Sequence, residues 1–561
     1  MTESTPEVET SYLFVTGGVM SGLGKGITAA SIGRLLINAG LDVTAIKVDP
    51  YLNVDAGTMN PLEHGEVYVM DDGGEVDLDL GNYERFLNEP MTSEHNITTG
   101  TVYESVINRE RSGDYLGKTV QIIPHITNEI TRQFREVPDD HHDVCLIELG
   151  GTVGDIEGMA FLEAVRQFRH DNPDNTVLCH VTLVPYSTNG EQKTKPTQHS
   201  IKELRGLGLE PEIVVGRCDD PLLDSTREKI ALFGDVPNEA VFSNPDVDDI
   251  YHAPQTLESE GIHEYVMDLL DLHDDTIPRG EWGSEWRETV TRDVPETPVV
   301  NVAIVGKYDL EDAYMSIHES LKHTRYNTGT NVEWEYIPSE TLETDDGNVD
   351  MEATHSQLSK FDAVIVPGGF GDRGTEGKIA AIRYARTSQT PFLGLCYGMQ
   401  LAVVEYAREV AGLTGAHSAE INEETTHPVI DILPEQHDVE DLGGTMRLGA
   451  QTSSIEPGTI AADLYGDECV ERHRHRYEVN PEYVDRLESV GPLTFSGTKN
   501  NRMEIIELDE EVHPFFFGTQ FHPEYTSRPD DPNPAFMRLV ETASGDARSP
   551  SAVEPVPDAS D

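Results

Sequence analysis

Short apolar runs alternate with amphipathic stretches from Tyr12 to about Leu272: YLFVT, DVTAIKVD, DVCLIELG, TVLCHVTLVP and EIVVGRC. Each run is almost continuously hydrophobic, as a strand buried on both faces requires, and strands alternating with helical periods predict a parallel sheet covered on both sides. The alternation resumes at Val299 with VVNVAIVGKY and continues through FDAVIVPGGFG, TPFLGLCYG and FFFGTQFHPEY. The expected fold class is α/β, with two doubly wound domains on mainly parallel sheets. Between them HDDTIPRGEWGSEWRETVTRDVPETP (273–298) is polar, Pro-bearing and without a sustained apolar period, and reads as a linker. The expected division is a flexible N-terminus (1–10), a first domain (11–272), the linker, a second domain (299–543) and a disordered acidic tail (544–561).

Charge narrows the partners. Acidic residues number 102 against 40 basic ones, a net charge of -62, which argues against a nucleic-acid binder because that needs a basic footprint. The acid is spread along the chain and lysine is scarce, a pattern resembling salt-adapted proteins; an acidic mesophilic protein is the alternative. At molar salt the Debye length falls to roughly 3 Å, so the self-repulsion of such a surface is screened. Five cysteines (145, 179, 218, 396 and 469) form no C-x-x-C pair, and no apolar stretch approaches the roughly 18 residues of a membrane span. With MTESTPEVET unlike a signal peptide, a soluble cytoplasmic protein without membrane partners is expected.

In PFLGLCYGMQLAV a strand ends on Gly394-Leu395-Cys396 and Tyr397-Gly398 turns the chain into a helix. A sharp strand-to-helix turn of this kind exposes a nucleophile where the helix dipole acidifies a thiol. A lone Cys in an apolar run is more often inert core. Further on, FGTQFHPEY places His522 and Glu524 two residues apart, on one side of an extended segment, so that the carboxylate can hold the imidazole. The loop PGGFGDRG (367–374) offers backbone amides to an oxyanion. The dense basic cluster ERHRHRYEVN (471–480) is, by itself, a nucleic-acid patch, a His pair for a metal, or an arginine fork for the α-carboxylate of an amino acid.

GLCYGMQ and FHPEY resemble the class I glutamine amidotransferase family. That resemblance implies hydrolysis of glutamine to glutamate and ammonia, with Cys396 as nucleophile, His522 as general base and Glu524 as its orienter. Gly369, Tyr397, Gly398, Met399, Gln400, Glu420 and Arg476 would bind glutamine.

The first domain must then supply an acceptor for ammonia. TGGVMSGLGKGIT (16–28) follows a strand and precedes a helix, so its amides and Lys25 suit phosphate oxygens. It departs from G-x-x-x-x-G-K-[ST]: Gly18 and Gly24 are separated by five residues, and Gly26 stands where a hydroxyl would meet magnesium. Carboxylates must replace that hydroxyl, and Asp77, Asp79, Glu148, Asp155 and Glu157 are available, although in so acidic a chain any one carboxylate is more often a solvated charge. GEQKTKPTQHS (190–200) suits a second polyphosphate or, taken alone, a solvated loop.

In order, GGVMSGLGKG, KVDPYLNVDAGTMNPLEHGEV, DLDLGNYERF, ELGGTVGDIE and KTKPTQHS are similar to the CTP synthase family, over residues 11 to 543. The resemblance implies amination of UTP to CTP with ATP and glutamine, through a 4-phosphorylated UTP. Gly22, Leu23, Gly24, Lys25, Gly26, Ile27, Asp79 and Val247 would bind ATP, with Lys25 and Lys47 supporting phosphoryl transfer. Asp79 and Glu148 would bind Mg2+. Ser21, Lys193, Thr194, Lys195, Pro196, Thr197, Gln198 and Lys229 would bind UTP, and Asp155, Ile156 and Glu157 the inhibitory CTP. His64 would lie near the ammonia exit, and Pro245-Asp246 stands where the family carries Lys-Asp beside adenine. GTP as allosteric activator and a homotetramer are further implications. An amidoligase acting on a carboxylate and a silent nucleotide-sensing or filament-forming protein are the alternatives. The second phosphate-binding run opposes the first, and an intact Cys396, His522, Glu524 and Lys25 oppose the second.

Overall fold

The computed structural model describes residues 10–20, 22–139, 141–273, 284–308, 311–344, 346–432 and 446–545. They divide into two compact units. One holds the described residues up to Ala56 and Asp79–Val290; the other holds Gly57–Leu78 and the described residues from Thr291 onward. Ser21 and the terminal segments expected to be flexible, residues 1–9 and 546–561, lie outside the described residues, as do residues 274–283 of the expected linker.

In the first unit seven strands form one parallel sheet: β1 (Ser11–Gly17), β2 (Val43–Asp49), β3 (Asn96–Thr98), β4 (Val144–Leu149), β5 (Thr176–Leu183), β6 (Ile213–Cys218) and β7 (Val241–Pro245), in the order β3-β2-β4-β1-β5-β6-β7. The continuous apolar runs are explained by this placement, since every residue of β1, β2 and β4 is buried. On one face Phe14 meets Phe134 and Phe168 edge-on, with ring centroids 5.8 and 5.7 Å apart. Each such ring buried from water stabilises the fold by about 1.5–3 kcal/mol. Helix α1 (Lys25–Asn38) leaves β1 after the glycine-rich loop, α2 (Leu78–Leu87) carries Asp79 in its first turn, and α3 (Lys195–Gly206) follows β5.

Part of the expected linker is structured. Residues Ser284–Val290 form a helix whose buried Trp286 lies 6.0 Å from the Phe86 ring and 6.2 Å from Tyr251. A helix of under two turns is too short to display a hydrophobic period, so one aromatic anchor leaves little trace in the pattern.

The second unit has a nine-stranded sheet. Its strands are β8 (Val299–Gly306), β9 (Asn331–Pro338), β10 (Ala363–Val366), β11 (Phe392–Leu395), β12 (Arg447–Ile455), β13 (Glu468–His475), β14 (Leu493–Lys499), β15 (Arg502–Leu508) and β16 (Phe516–Thr519). They run in the order β9-β8-β10-β11-β16-β15-β14-β12-β13, parallel from β9 to β16 and antiparallel beyond. Helices α4 (Thr375–Ser388) and α5 (Tyr397–Glu409) follow β10 and β11.

Residues Gly57–Leu78 pack as part of this second unit, although they come from within the first in sequence. They form a hairpin, Val67–Val69 with Glu75–Asp77, held by Tyr68 Oη donating to Tyr525 O (2.6 Å), Tyr525 Oη to Val67 O (3.1 Å) and Arg474 to Glu75 (2.8 Å). No helix among the described residues is long and apolar enough to cross a membrane. All five cysteines are unpaired and buried.

Candidate active sites

β11 ends at Leu395 and α5 starts at Tyr397, so Cys396 makes the turn alone, at φ +50° and ψ -100°. A non-glycine residue there costs of order 1–3 kcal/mol and persists only where its surroundings over-determine it. They do here. The Cys396 N–H donates to Thr519 O at 2.7 Å, and a Cβ on Gly398 would stand 2.0 Å from Val366 O, so the turn has no room to relax. The thiol is left at the N-terminus of α5, lining a pocket of about 80 Å³ with Gly368, Gly369, Phe370, Arg474, His522 and Glu524.

His522 Nδ1 lies 2.7 Å from Glu524 Oε1, which leaves Nε2 for the sulfur. Burial pulls the His522 pKa down, but the Glu524 charge and the Cys396 sulfur outweigh it and carry it up to about 10. A thiol, an imidazole and an orienting carboxylate are thereby assembled for nucleophilic attack with proton transfer. Gly369, at φ +151°, lines the same pocket in the loop after β10.

The other expected glutamine contacts differ in accessibility. Met399 is fully buried, Gln400 is buried with Nε2 donating to Tyr477 O (2.7 Å) and Gln520 Oε1 (3.2 Å), and Tyr397 Oη bonds Thr375 (2.9 Å). Glu420 accepts from the Gly371 N–H at 2.9 Å, and burial raises its pKa. Arg476 is half-buried just after β13.

The basic cluster is an interior network. His473 Nε2 bonds Glu504 at 2.9 Å, and Arg447 bridges Glu504 and Glu478 at 2.7 Å each. Burial holds both His473 and His475 below the ordinary imidazole pKa. Arg472 pairs with Asp71 and Arg474 with Glu75 of the hairpin. His473, Arg472 and Arg474 are engaged by the carboxylates of Glu504, Asp71 and Glu75, which opposes a nucleic-acid patch for these side chains.

In the first unit Gly22 and Gly24 sit at φ +68° and +80°, which aims the loop into α1. A Cβ on Gly18 would stand 1.5 Å from Ser200 Oγ, so this glycine permits close approach to α3. There buried His180 joins Ser200 Oγ (2.6 Å) to Thr16 Oγ1 (2.9 Å). Burial and then the Lys25 charge hold its pKa down to about 3, so it bridges as a neutral ring.

Lys25 is buried, donates to Gly151 O at 2.8 Å and stands 4.0 Å from Glu148. Burial lowers its pKa against the pull of Glu148. Lys47 connects the expected metal carboxylates, 3.0 Å from Glu148 Oε2 and directly bonded to Asp79. Burial would raise the Asp79 pKa, yet the Lys47 charge and hydrogen bond bring it below the usual value. A Cβ on Gly26 would lie 3.0 Å from Asp79 Oδ1. The space a Ser or Thr would fill after the loop lysine is thus taken by the Asp79 carboxylate, which accounts for the glycine.

Among the described residues no group of three or more His, Cys, Asp or Glu is arranged to hold a metal ion. Glu148, near the end of β4, and Asp79, in the first turn of α2, nonetheless offer carboxylate oxygens on either side of Lys47. Magnesium ordinarily takes one or two carboxylates and completes its shell with water and phosphate.

A model of the CTP synthase N-terminus matches residues 11–272, and one of class-I glutamine amidotransferase matches residues 309–542. CTP synthase of Halobacterium salinarum is 64% identical over 542 residues, covering 96% of each chain. That of Natronomonas pharaonis is 64% identical over 544 residues, covering 97% of each. The chain belongs to the CTP synthase family. It is a glutamine-hydrolysing ligase that forms a carbon–nitrogen bond. Among solved structures, a Trypanosoma brucei CTPS glutaminase domain with bound acivicin is 36% identical, covers 46% of this chain and 98% of that one, and has a TM-score of 0.40.

In this CTP synthase family member the remaining expected nucleotide residues lie in the segments that follow β4, β5, β6 and β7. The KTKPTQHS run is not a loop throughout but enters α3, with Pro196 in its first turn, where proline has no N–H to waste. Lys193 bonds Glu191 (2.7 Å), Lys195 bonds Gln198 (3.0 Å), Gln198 bonds Thr194 (2.9 Å) and Thr197 bonds Leu183 O (3.2 Å). Asp155, Ile156, Glu157 and Lys229 are exposed, and Val247 is half-buried after β7. His64 ends the short helix Pro61–His64 of the second unit.

Three basic residues near these sites were missed by sequence reasoning. Arg217, at the end of β6, donates to Asn244 O (2.7 Å) and Pro245 O (3.1 Å), and a Cβ on Gly24 would come within 3.4 Å of its Nε. Lys307 and Lys378 donate to carbonyls of the loop after β10. Each stands in or beside an apolar run, and a cation so placed in a lysine-poor chain was the available signal.

Proposed function

We propose that this chain carries out UTP + ATP + glutamine + H2O giving CTP + ADP + phosphate + glutamate. Ammonia is made at Cys396 and consumed in the first unit. The observation that carries the reading is the pairing, in one chain alike to CTP synthases over 96% of its length, of an oriented thiol–imidazole site with a glycine-rich loop facing the Glu148 and Asp79 carboxylates.

Glutamine is held through its α-groups by Glu420 and Arg476 beside the turn residues 397–400. The Cys396 thiolate attacks the γ-carboxamide, the Gly369 N–H meets the oxyanion, and imidazolium His522 gives its proton to departing ammonia. Water then attacks the thioester with His522 as base, while Glu524 keeps the ring oriented.

The C4 oxygen of uracil is a poor leaving group, so the γ-phosphoryl of ATP is transferred to it first. Residues 22–27 hold the ATP phosphates, Lys25 and Lys47 stabilise the transferring group, and Val247 meets the base. Asp79 and Glu148 hold magnesium, which when bound neutralises phosphate charge. Ser21, Lys193 to Gln198 and Lys229 bind UTP, and Asp155 to Glu157 bind inhibitory CTP. His64 lies near the ammonia exit, and ammonia must be kept from neutral water, where it is protonated and no longer a nucleophile.

GTP activation, a cytoplasmic setting and a homotetramer are part of the same reading. Leu52, Ile107, Leu116, Ile122, Ile123 and Ile156 of the first unit are exposed and are apolar surface available to self-association. The net charge of -62 supports function at high salt. Purified protein in high salt with magnesium, ATP, UTP and either glutamine or ammonium should form CTP; none from either nitrogen source would overturn the proposal.

A further inference from the structure

Lys378 lies in the first turns of α4 with no solvent exposure. Burying an ammonium is costly unless it is well satisfied, and among the described residues no carboxylate pairs with it. It meets instead Pro367 O at 2.9 Å, Gly368 O at 3.3 Å and the face of Tyr397 at 5.3 Å. Burial, then the Lys307 charge, bring its pKa down to about 7. Both carbonyls belong to the loop that runs past the thiol.

A trans peptide is planar, with C=O and N–H pointing opposite ways. Holding the Gly368 carbonyl on the Lys378 side therefore turns the Gly369 N–H to the other side. Gly368 faces the nucleophile: a Cβ there would meet His522 Cε1 at 3.1 Å and Cys396 Cβ at 3.8 Å. Two successive glycines, one at φ +151°, leave this peptide free to flip unless something holds it.

We propose that Lys378 is a positioning residue for glutamine hydrolysis: its ammonium captures the Pro367 and Gly368 carbonyls and so locks the Gly368–Gly369 peptide with its N–H available to the oxyanion. The inference rests on the thiol chemistry proposed above. Farther along the loop, Lys307 donates to Gly371 O at 3.3 Å, so the lock on the oxyanion peptide itself falls to Lys378.

The test is Lys378→Met, which keeps the length and packing but removes the donors. Glutaminase kcat should fall about 10–100-fold, as for weakening one oxyanion donor, with the glutamine KM within about threefold. Iodoacetamide should alkylate Cys396 within about threefold of the wild-type rate, because displacement of iodide develops no oxyanion and only the Lys378–sulfur attraction is lost. Affinity for glutamate γ-semialdehyde, which adds to the thiol as a thiohemiacetal, should drop in step with kcat. Lys378→Gln, whose amide keeps two N–H donors, should recover part of the loss, and carries the same comparison alone if the Met variant fails to fold. Wild-type kcat in Lys378→Met, or equal losses of turnover and alkylation, would overturn the proposal. Absence of glutaminase activity in the wild type would instead overturn the reading on which it rests.

Discussion

Both units solve the same geometric problem, turning a buried strand into a helix at the carboxyl edge of a sheet, and solve it with opposite residues. In the first unit the turn is glycine, with Gly22 and Gly24 at φ +68° and +80°. In the second it is Cys396 at φ +50°. Where the proposed reagent is the backbone, whose amides would wrap a polyphosphate, glycine leaves the conformation unstrained. Where the reagent is a side chain, glycine is not an option. The strain must then be absorbed by close packing, as between Gly398 and Val366 O. Gly22 of the first turn has open space around it, whereas Gly398 beside the thiol does not.

The largest expected effect separates the two turns outright. Cys396→Ala should lower glutamine-dependent CTP formation by at least about a thousandfold while ammonium still supports synthesis, read as CTP from each nitrogen source. Loss of both with the fold intact would break the division of labour. Lys25→Ala is its mirror image: CTP from either source should fall about a hundredfold, with iodoacetamide still alkylating Cys396 at the wild-type rate.

Gly26→Ser sharpens the contrast further. Its new side chain would press on Asp79, whose Oδ1 lies 3.0 Å from the Cβ position, so synthesis should drop about tenfold and need more magnesium. An unchanged magnesium titration would mean that Asp79 has no part in the metal site.

A smaller effect concerns buried charge. In the second unit burial pushes the Glu504 pKa up, but His473 and Arg447 outweigh it and hold it at about 2, against an ordinary 4.5. A carboxyl depressed on folding contributes stability above its unfolded pKa that is lost as pH falls through the folded one. Acid denaturation should therefore steepen between pH 4.5 and about 2, and Glu504→Gln should flatten that limb while lowering stability at neutral pH. An unchanged acid limb would show that the network contributes nothing through this group. The smallest expected effect is general: the midpoint of thermal unfolding should rise from 0.1 M to about 1 M salt, as the Debye length shrinks from roughly 10 to 3 Å.

The geometry of the Cys396 turn, of His522 with Glu524 and of the glycine-rich loop was legible because each is contiguous and depends on spacing of a few residues. The role of Gly26 was only half legible. Its lack of a hydroxyl is visible in the sequence, but that Asp79 fills the vacated space depends on α2 folding against α1. The ERHRHRYEVN cluster left three readings open because a basic run looks the same whether it meets solvent or buried carboxylates. Arg217, Lys307 and Lys378 went unread because each donates to main-chain carbonyls, which carry no sequence signature.

By itself the sequence determined what local periodicity and short-range stereochemistry encode: two α/β units, the strands that end at each site, and the reagents at their turns. Only the tertiary structure decided which distant segments share a unit. It put Gly57–Leu78 with the second unit, tied Lys47 to both Asp79 and Glu148, and extended the second sheet with four antiparallel strands. The physical reason is range. Backbone preference and burial period act over a few residues, whereas ion pairs and sheet order are settled by the free energy of packing elements far apart in the chain.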